Sequence, residues 1–134
     1  MTRHDLGTFA EHHFVAQAAR RGFKGALAPG GCKGYDVVLD TGSGLFRVQV
    51  KAATSHKTLG RDHYSILIGR NGQLSSGASH FHAFWLDSHD RWVFRPTSEL
   101  RGLKTFSVTI GSKGPRGGNP RQKHVFDDWS IFCV

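Results

Sequence analysis

Two runs rich in Val, Leu, Phe and Tyr flank Thr41-Gly42-Ser43-Gly44 within residues 34–53, and glycine there supplies the positive φ that a tight β-hairpin turn needs. Closing that turn dictates a register. With Asp40 facing Leu45, counting outward sets Leu39 against Phe46, Val37 against Val48 and Tyr35 against Val50, which makes one continuous apolar face. The alternate positions pair Val38 with Arg47, Asp36 with Gln49 and Gly34 with Lys51. A slip of one residue would send every apolar side chain to the wrong face, so the hydrophobic pattern itself selects this pairing.

A carboxylate, a carboxamide and an ammonium on one face suit metal-assisted hydrolysis of a phosphodiester. Asp36 offers a hard cation an anionic oxygen, Gln49 adds a neutral amide oxygen, and Lys51 can orient a water or steady charge on the reacting phosphate. The same residues also read as the solvated side of a hairpin with a weak ion pair. Spacing does not separate the two.

Gly7-Thr8-Phe9-Ala10-Glu11, then Arg21-Gly22-Phe23, Tyr35-Asp36-Val37-Val38 and Val48-Gln49-Val50-Lys51 together resemble the PD-(D/E)xK nuclease superfamily. Within it the match is to small endonucleases similar to archaeal Holliday-junction resolvases and to one branch of group I intron homing endonucleases. The resemblance runs from the N-terminus to just past Ala53 and fades beyond. It implies an α/β fold, a central mixed β-sheet flanked by helices around a restriction-endonuclease-like core, and a divalent-metal-dependent DNA endonuclease. Carried over position by position, the catalytic set is Glu11, Asp36, Gln49 and Lys51. The implied metal ligands are Asp36, Glu11, Gln49 and the Val50 carbonyl, for Mg²⁺ or Mn²⁺. Two departures stand out. Tyr35 occupies the position of the superfamily's proline, and Gln49 replaces the usual second carboxylate, which removes one negative charge from the metal site. An inert relative, a non-catalytic DNA-binding module on a decayed nuclease fold, is therefore the alternative.

Glu11 also has a purely local reading, because Thr8-Phe9-Ala10-Glu11 forms a capping box in which Glu11 reaches back to the backbone of Thr8. Around it, Leu6, Phe9, Ala10, Phe14 and Ala18 recur at three and four, predicting a helix over residues 6–21 that Gly22 ends.

The chain of 134 residues is one domain by size, and its 38% apolar content, with ten Phe and three Trp, supports a packed core. Its net charge of +8 and isoelectric point near 10.1 call for a polyanionic partner, with nucleic acid before an anionic membrane. The expected partner is DNA, duplex or branched, and a homodimer or higher homo-oligomer is left open. No run approaches the ~20 apolar residues of a membrane span and no signal-peptide core opens the chain, so a soluble, cytoplasmic protein is expected. Cys32 and Cys133 are too few for a disulfide framework and lack zinc spacing, which leaves reduced thiols. The nine histidines follow no ligand spacing either, and most are expected on the surface or facing nucleic acid.

Residues 23–28 read as a first strand, and the Gly-rich loop that follows carries Lys33 but lacks the ending of a P-loop. Residues 53–62 read as a polar, basic loop that either contacts phosphates through His56, Lys57 and Arg61 or is simply solvated. Further strands are predicted over residues 63–69, 81–86, 92–94 and 105–110, the last at an edge, with a capped helix start at residues 96–100. Residues 111–124 form a basic loop carrying Lys113, Arg116, Arg121 and Lys123 without an acid, either a mobile linker or an arm for a phosphate backbone. Phe126, Trp129, Ile131 and Phe132 should dock a short C-terminal helix after it. Asp62-His63, Asn71 and His80 superficially resemble an HNH nuclease, but a strand running straight from His63 leaves no room for the loop that motif needs.

Overall fold

A computed structural model of the protein describes residues 1–30, 34–58, 60–71, 73–74, 78–111 and 124–133. Lys33, Lys113, Arg116, Arg121 and Lys123 lie outside the described residues. Helix α1 (Arg3–Arg20) leads into strands β1 (Lys24–Leu27), β2 (Val37–Asp40), β3 (Leu45–Ala53), β4 (His56–Thr58), β5 (Arg61–Leu67), β6 (Gly69–Arg70), β7 (Gln73–Leu74), β8 (Phe81–Leu86), β9 (Arg91–Pro96) and β10 (Thr105–Gly111). Short 3-10 turns occupy Asp87–His89, Thr97–Leu100 and Trp129–Phe132. No described helix is long and apolar enough to cross a membrane.

The helix begins earlier than its hydrophobic spacing predicts. Thr2 is the N-cap: its hydroxyl accepts the Asp5 amide at 3.1 Å, and the Asp5 carboxylate accepts the Thr2 amide at 3.0 Å. This capping box lies one and a half turns upstream of Thr8, so Glu11 is a mid-helix residue and not a cap. At the other end Gly22, with φ 82°, lets the chain turn out of the helix.

The main sheet has the order β1-β2-β3-β8-β9, with β3 and β8 parallel and the other pairs antiparallel. It is the mixed central sheet expected. Parallel neighbours require a crossover, and here the crossover contributes β4 and β5 to a second sheet of order β10-β5-β4. Residues 56–58 and 61–62, expected in a loop, are thus paired strands, with Lys57 opposite Asp62. As expected, β10 is an edge strand.

The main sheet is covered on both faces, so every residue of β8 is buried. On one face Ala10, Phe14 and Ala18, at helical spacing, pack with Val37, Leu39, Val48, Val50, Ala83 and Trp85. On the other, Tyr64, Ile66, Phe106 and Val108 of the second sheet meet Ala53, Phe84, Leu86 and Val93. One flank of the sheet is thus a helix and the other a sheet. Helix α1 is held in place by a polar bridge: His13 Nε2 lies 2.8 Å from Asp90 Oδ1, which also accepts the Trp85 indole N–H at 2.9 Å. At the C-terminus Trp129 and Phe132 are buried as expected, while the capped helix predicted at residues 96–100 is a 3-10 turn without a side-chain cap.

Phe14 sits at the centre of the aromatic layer, fully buried against the rings of Trp92, Phe94, Trp129 and Phe132. Truncating it leaves a cavity that those rings cannot all close. Phe14→Ala should cost about 3–5 kcal/mol in urea unfolding, whereas Phe9→Ala, at a side chain 45% exposed, should cost much less.

Candidate active site

The hairpin forms in the expected register, with Asp40 facing Leu45, Leu39 facing Phe46, Val38 facing Arg47 and Val37 facing Val48. Its turn is tied by the Asp40 carboxylate, which accepts the Gly42 amide at 3.0 Å, and by the Thr41 amide on the Gly44 carbonyl at 3.1 Å. The regular ladder stops at Val37. The Asp36 amide donates to the Val48 carbonyl at 2.9 Å, although Val48 is already opposite Val37. Two consecutive residues therefore address one, the arrangement of a β-bulge, which re-aims a side chain. Asp36 Oδ2 accepts the Val50 amide at 2.9 Å. The expected pairing of Tyr35 with Val50, and with it those of Asp36 with Gln49 and Gly34 with Lys51, gives way to this bond. An ionised oxygen is a stronger acceptor than a backbone carbonyl.

Glu11 follows the buried Ala10 on α1 and is itself half-buried. Burial first, then the neighbouring Asp36 charge and a hydrogen bond between the two carboxyls, pushes the Glu11 carboxyl up to about 7. Glu11 therefore keeps its proton to higher pH than an exposed carboxyl, while Asp36 is tied to the Val50 amide. Glu11, Asp36 and the Val50 backbone are thus in direct contact.

Gln49 and Lys51 bracket Val50 on β3. The Val48 and Val50 side chains lie in the core beneath α1, so alternation projects Gln49 and Lys51 from the other face of the strand, where both are half-buried. Among the described residues no ion pair joins Lys51 to Asp36, and the surface pair considered from the sequence is not formed. Lys51 instead lines a cleft of about 750 Å³ shared with Arg3, Thr54, His56 and Asp87. Lys57 and Arg61 belong to the β4–β5 hairpin that follows His56.

Two histidines stand apart from the exposed ones. His82 on β8 is fully buried, directly across the parallel ladder from Gln49. Its burial, with the Lys51 charge second, holds the imidazole down to about 4. His124 is half-buried, accepting from Arg95 at Nδ1 and donating from Nε2 to the Ser107 carbonyl. Its position in a two-sided apolar strand, Phe81-His82-Ala83-Phe84-Trp85-Leu86, is the signal that would have placed His82 inside. The HNH constellation does not assemble: His63 is bonded to Thr109 on the second sheet, and His80 accepts the Arg47 amide beside the first.

Whether a cation suits this arrangement is decided by its donors. Glu11, Asp36, the Gln49 amide and the Val50 carbonyl offer oxygen only, the set that hard divalent ions take. Two adjacent carboxyls sharing one proton are also an arrangement in which a cation can replace that proton. Among the described residues no group of three or more His, Cys, Asp and Glu side chains is placed to hold a metal ion, so a cation here would also need the Gln49 amide and the Val50 carbonyl.

A carboxyl with a higher pKa in the folded chain than in the unfolded one binds protons preferentially when folded. The Glu11 contribution to stability is therefore complete below about 4.5 and lost as pH rises through about 7 in the metal-free protein. Carbon-13 NMR of the Glu11 carboxyl should show a midpoint near 7, and Asp36→Asn should lower it by removing the adjacent charge. A wild-type midpoint near 4.5 contradicts the contact.

Two comparisons bear on this site. A model of the PD-(D/E)XK endonuclease family matches residues 1–132. A solved structure of a bacterial homing endonuclease, I-Ssp6803I, superposes with a TM-score of 0.67 over 87% of this chain and 82% of that one, at 18% identity, a likeness of fold. No curated protein sequence matches. With the family model spanning nearly the whole chain, from the capped helix through the Asp36 bulge and the Gln49-Val50-Lys51 strand to the C-terminal aromatics, the protein belongs to the PD-(D/E)XK endonuclease family.

Proposed function

We propose that this chain is a divalent-metal-dependent DNA endonuclease that hydrolyses phosphodiester bonds at Glu11, Asp36, Gln49, Val50 and Lys51. The observation that carries the reading is the Glu11–Asp36 carboxyl pair held against the Val50 amide, with Lys51 close by on the same strand and unpaired to either acid. Family membership supports nuclease chemistry, and the fold it shares with a homing endonuclease supports a DNA substrate. The net charge of +8 supports a polyanion of either kind.

Asp36 and Glu11 would hold Mg²⁺ or Mn²⁺ through carboxylate oxygens, with the Gln49 carboxamide oxygen and the Val50 carbonyl adding neutral ligands. A cation bound there supplies Lewis-acid polarisation of the phosphoryl group and lowers the pKa of coordinated water. Asp36 is fixed by the Val50 amide, so its free lone pairs are already aimed. Glu11 must surrender its proton for the site to load. Lys51 would supply positive charge as negative charge grows on the phosphate in the transition state, which requires no proton transfer from it. One site of this kind cuts one strand, so duplex cleavage calls for two copies of the chain acting together.

The alternative is a DNA-binding module without catalysis, favoured by the missing second carboxylate at Gln49. Nicking of plasmid and branched DNA in Mg²⁺, Mn²⁺ or EDTA separates the two. Asp36→Ala and Lys51→Ala should each abolish cutting while leaving DNA affinity within a few-fold of wild type, and Gln49→Glu should tighten Mn²⁺ binding without DNA and retain cutting. If wild type is inert at every metal concentration and Gln49→Glu restores cutting, the binding module is the correct reading. Full activity in Asp36→Ala rejects the site altogether.

The four cations of residues 111–124, outside the described residues, add a separate expectation. On either side of it, Gly111 pairs with Arg61 and His124 bonds to Ser107. If Lys113, Arg116, Arg121 and Lys123 each neutralise a phosphate, replacing all four by Ala should lower the slope of log K against log salt by up to ~3.6, at ~0.9 per contact. An unchanged slope makes the segment a bystander.

A further inference from the structure

His82 is a buried polar group that the proposed chemistry leaves unused. Its Nδ1 lies 2.9 Å from Thr97 Oγ1, which is in turn 3.0 Å from Ser79 Oγ, and all three residues are buried. Its Nε2 is buried with no hydrogen-bonding partner. An orphaned imidazole nitrogen in a fully enclosed side chain is costly unless some state of the protein satisfies it.

Strand β8 has a neighbour on each side. Thr97 follows β9, on one side of β8, whereas β3 lies on the other. A ring that gives Nδ1 to Thr97 turns Nε2 toward the β3 side. The residue opposite His82 in the parallel β3–β8 ladder is Gln49. Phe81 and Ala83 lie in the core beneath α1, as do Val48 and Val50. His82 and Gln49 therefore project from the same face of the sheet, at neighbouring strand positions.

Resting on the metal-site reading above, we infer that His82 is a positioning residue that orients the Gln49 carboxamide, its Nε2 lone pair accepting an N–H from the Gln49 amide. The two ends of a carboxamide are nearly equal in shape, and only the oxygen end can serve a cation. An acceptor beside the NH₂ group settles which way it faces. Thr97 and Ser79 complete the relay, because Nδ1–H donates to the Thr97 hydroxyl and that hydroxyl can donate onward to Ser79. A partner of this kind is redundant for a carboxylate, whose two oxygens are equivalent, and it matters where Gln replaces the acid. Second-sphere partners of this type typically change metal affinity or activity by about 10–100-fold when removed.

Nitrogen-15 NMR of the metal-free protein reads the contact independently of catalysis. The expected spectrum has His82 with Nδ1 protonated and Nε2 unprotonated, an Nε2 resonance that moves in Gln49→Met, and a proton transferred to Nε2 in Gln49→Glu, since a carboxylate only accepts. An Nε2–H tautomer in wild type, or an Nε2 resonance that responds to Lys51→Met but not to Gln49→Met, overturns the inference. A second arm uses variants that keep one ring nitrogen's role each. His82→Gln, which preserves an acceptor near Nε2, should retain Mn²⁺ affinity and nicking rate within about 3-fold. His82→Asn, which preserves the bond to Thr97, should lose about 10–100-fold in both. Equal loss in the two variants with unchanged melting temperature, or full retention in His82→Asn, contradicts the assignment. If wild type binds no Mn²⁺ yet the NMR contact is present, the metal-site reading fails while the His82–Gln49 pairing stands.

Discussion

A single hydrogen bond, from the Val50 amide to the Asp36 carboxylate, organises this molecule's functional end. It stands where the β2–β3 ladder stops, three pairs short of where alternation would carry it, at a bulge that re-aims Asp36. That displacement brings the carboxyl against Glu11 on a helix packed across the sheet. It also fixes the backbone at Val50, between Gln49 and Lys51.

The remainder of the fold holds this geometry rigid. Helix α1 can present Glu11 only because Ala10, Phe14 and Ala18 pack on β2 and β3, and because His13, Asp90 and Trp85 link the helix to the β8–β9 turn. β8 lies between β3 and β9 with both faces covered. Its burial supplies a stiff neighbour to the strand that carries Gln49 and Lys51, and it leaves His82 with no route to water. Burial first, and the neighbouring Asp36 second, raises the Glu11 carboxyl. Tension of that kind is common at sites where charge is handled, and uncommon in surfaces built only for solubility.

Much of this was legible in the sequence because it depended on local chemistry. The Thr41-Gly42-Ser43-Gly44 turn and a two-residue alternation are enough to set four cross-strand pairs, and those four form. The fifth fails because a side-chain acceptor competes with a backbone one, which alternation does not register. The helix was legible from its spacing but not its start, since Thr2/Asp5 and Thr8/Glu11 are equivalent capping pairs by sequence and only the first stands at an end. The second sheet was partly hidden: His56–Thr58 is polar, and its pairing with β5 is a tertiary outcome. His82 looked like one more surface histidine, although an imidazole inside six residues of a fully covered strand has no exposed side to occupy.

In the proposed function Glu11, Asp36, Gln49 and the Val50 carbonyl would form one cation site. The most direct measurement is an anomalous difference map from crystals of the full chain grown with Mn²⁺ and an uncleaved DNA duplex. The account predicts a peak about 2.1 Å from an Asp36 oxygen, the distance expected for a small hard divalent ion, with Glu11, the Gln49 Oε1 and the Val50 carbonyl completing the protein ligands. A map with Mn²⁺ bound elsewhere, at His63 or His80 for example, and no density against Asp36 would contradict it.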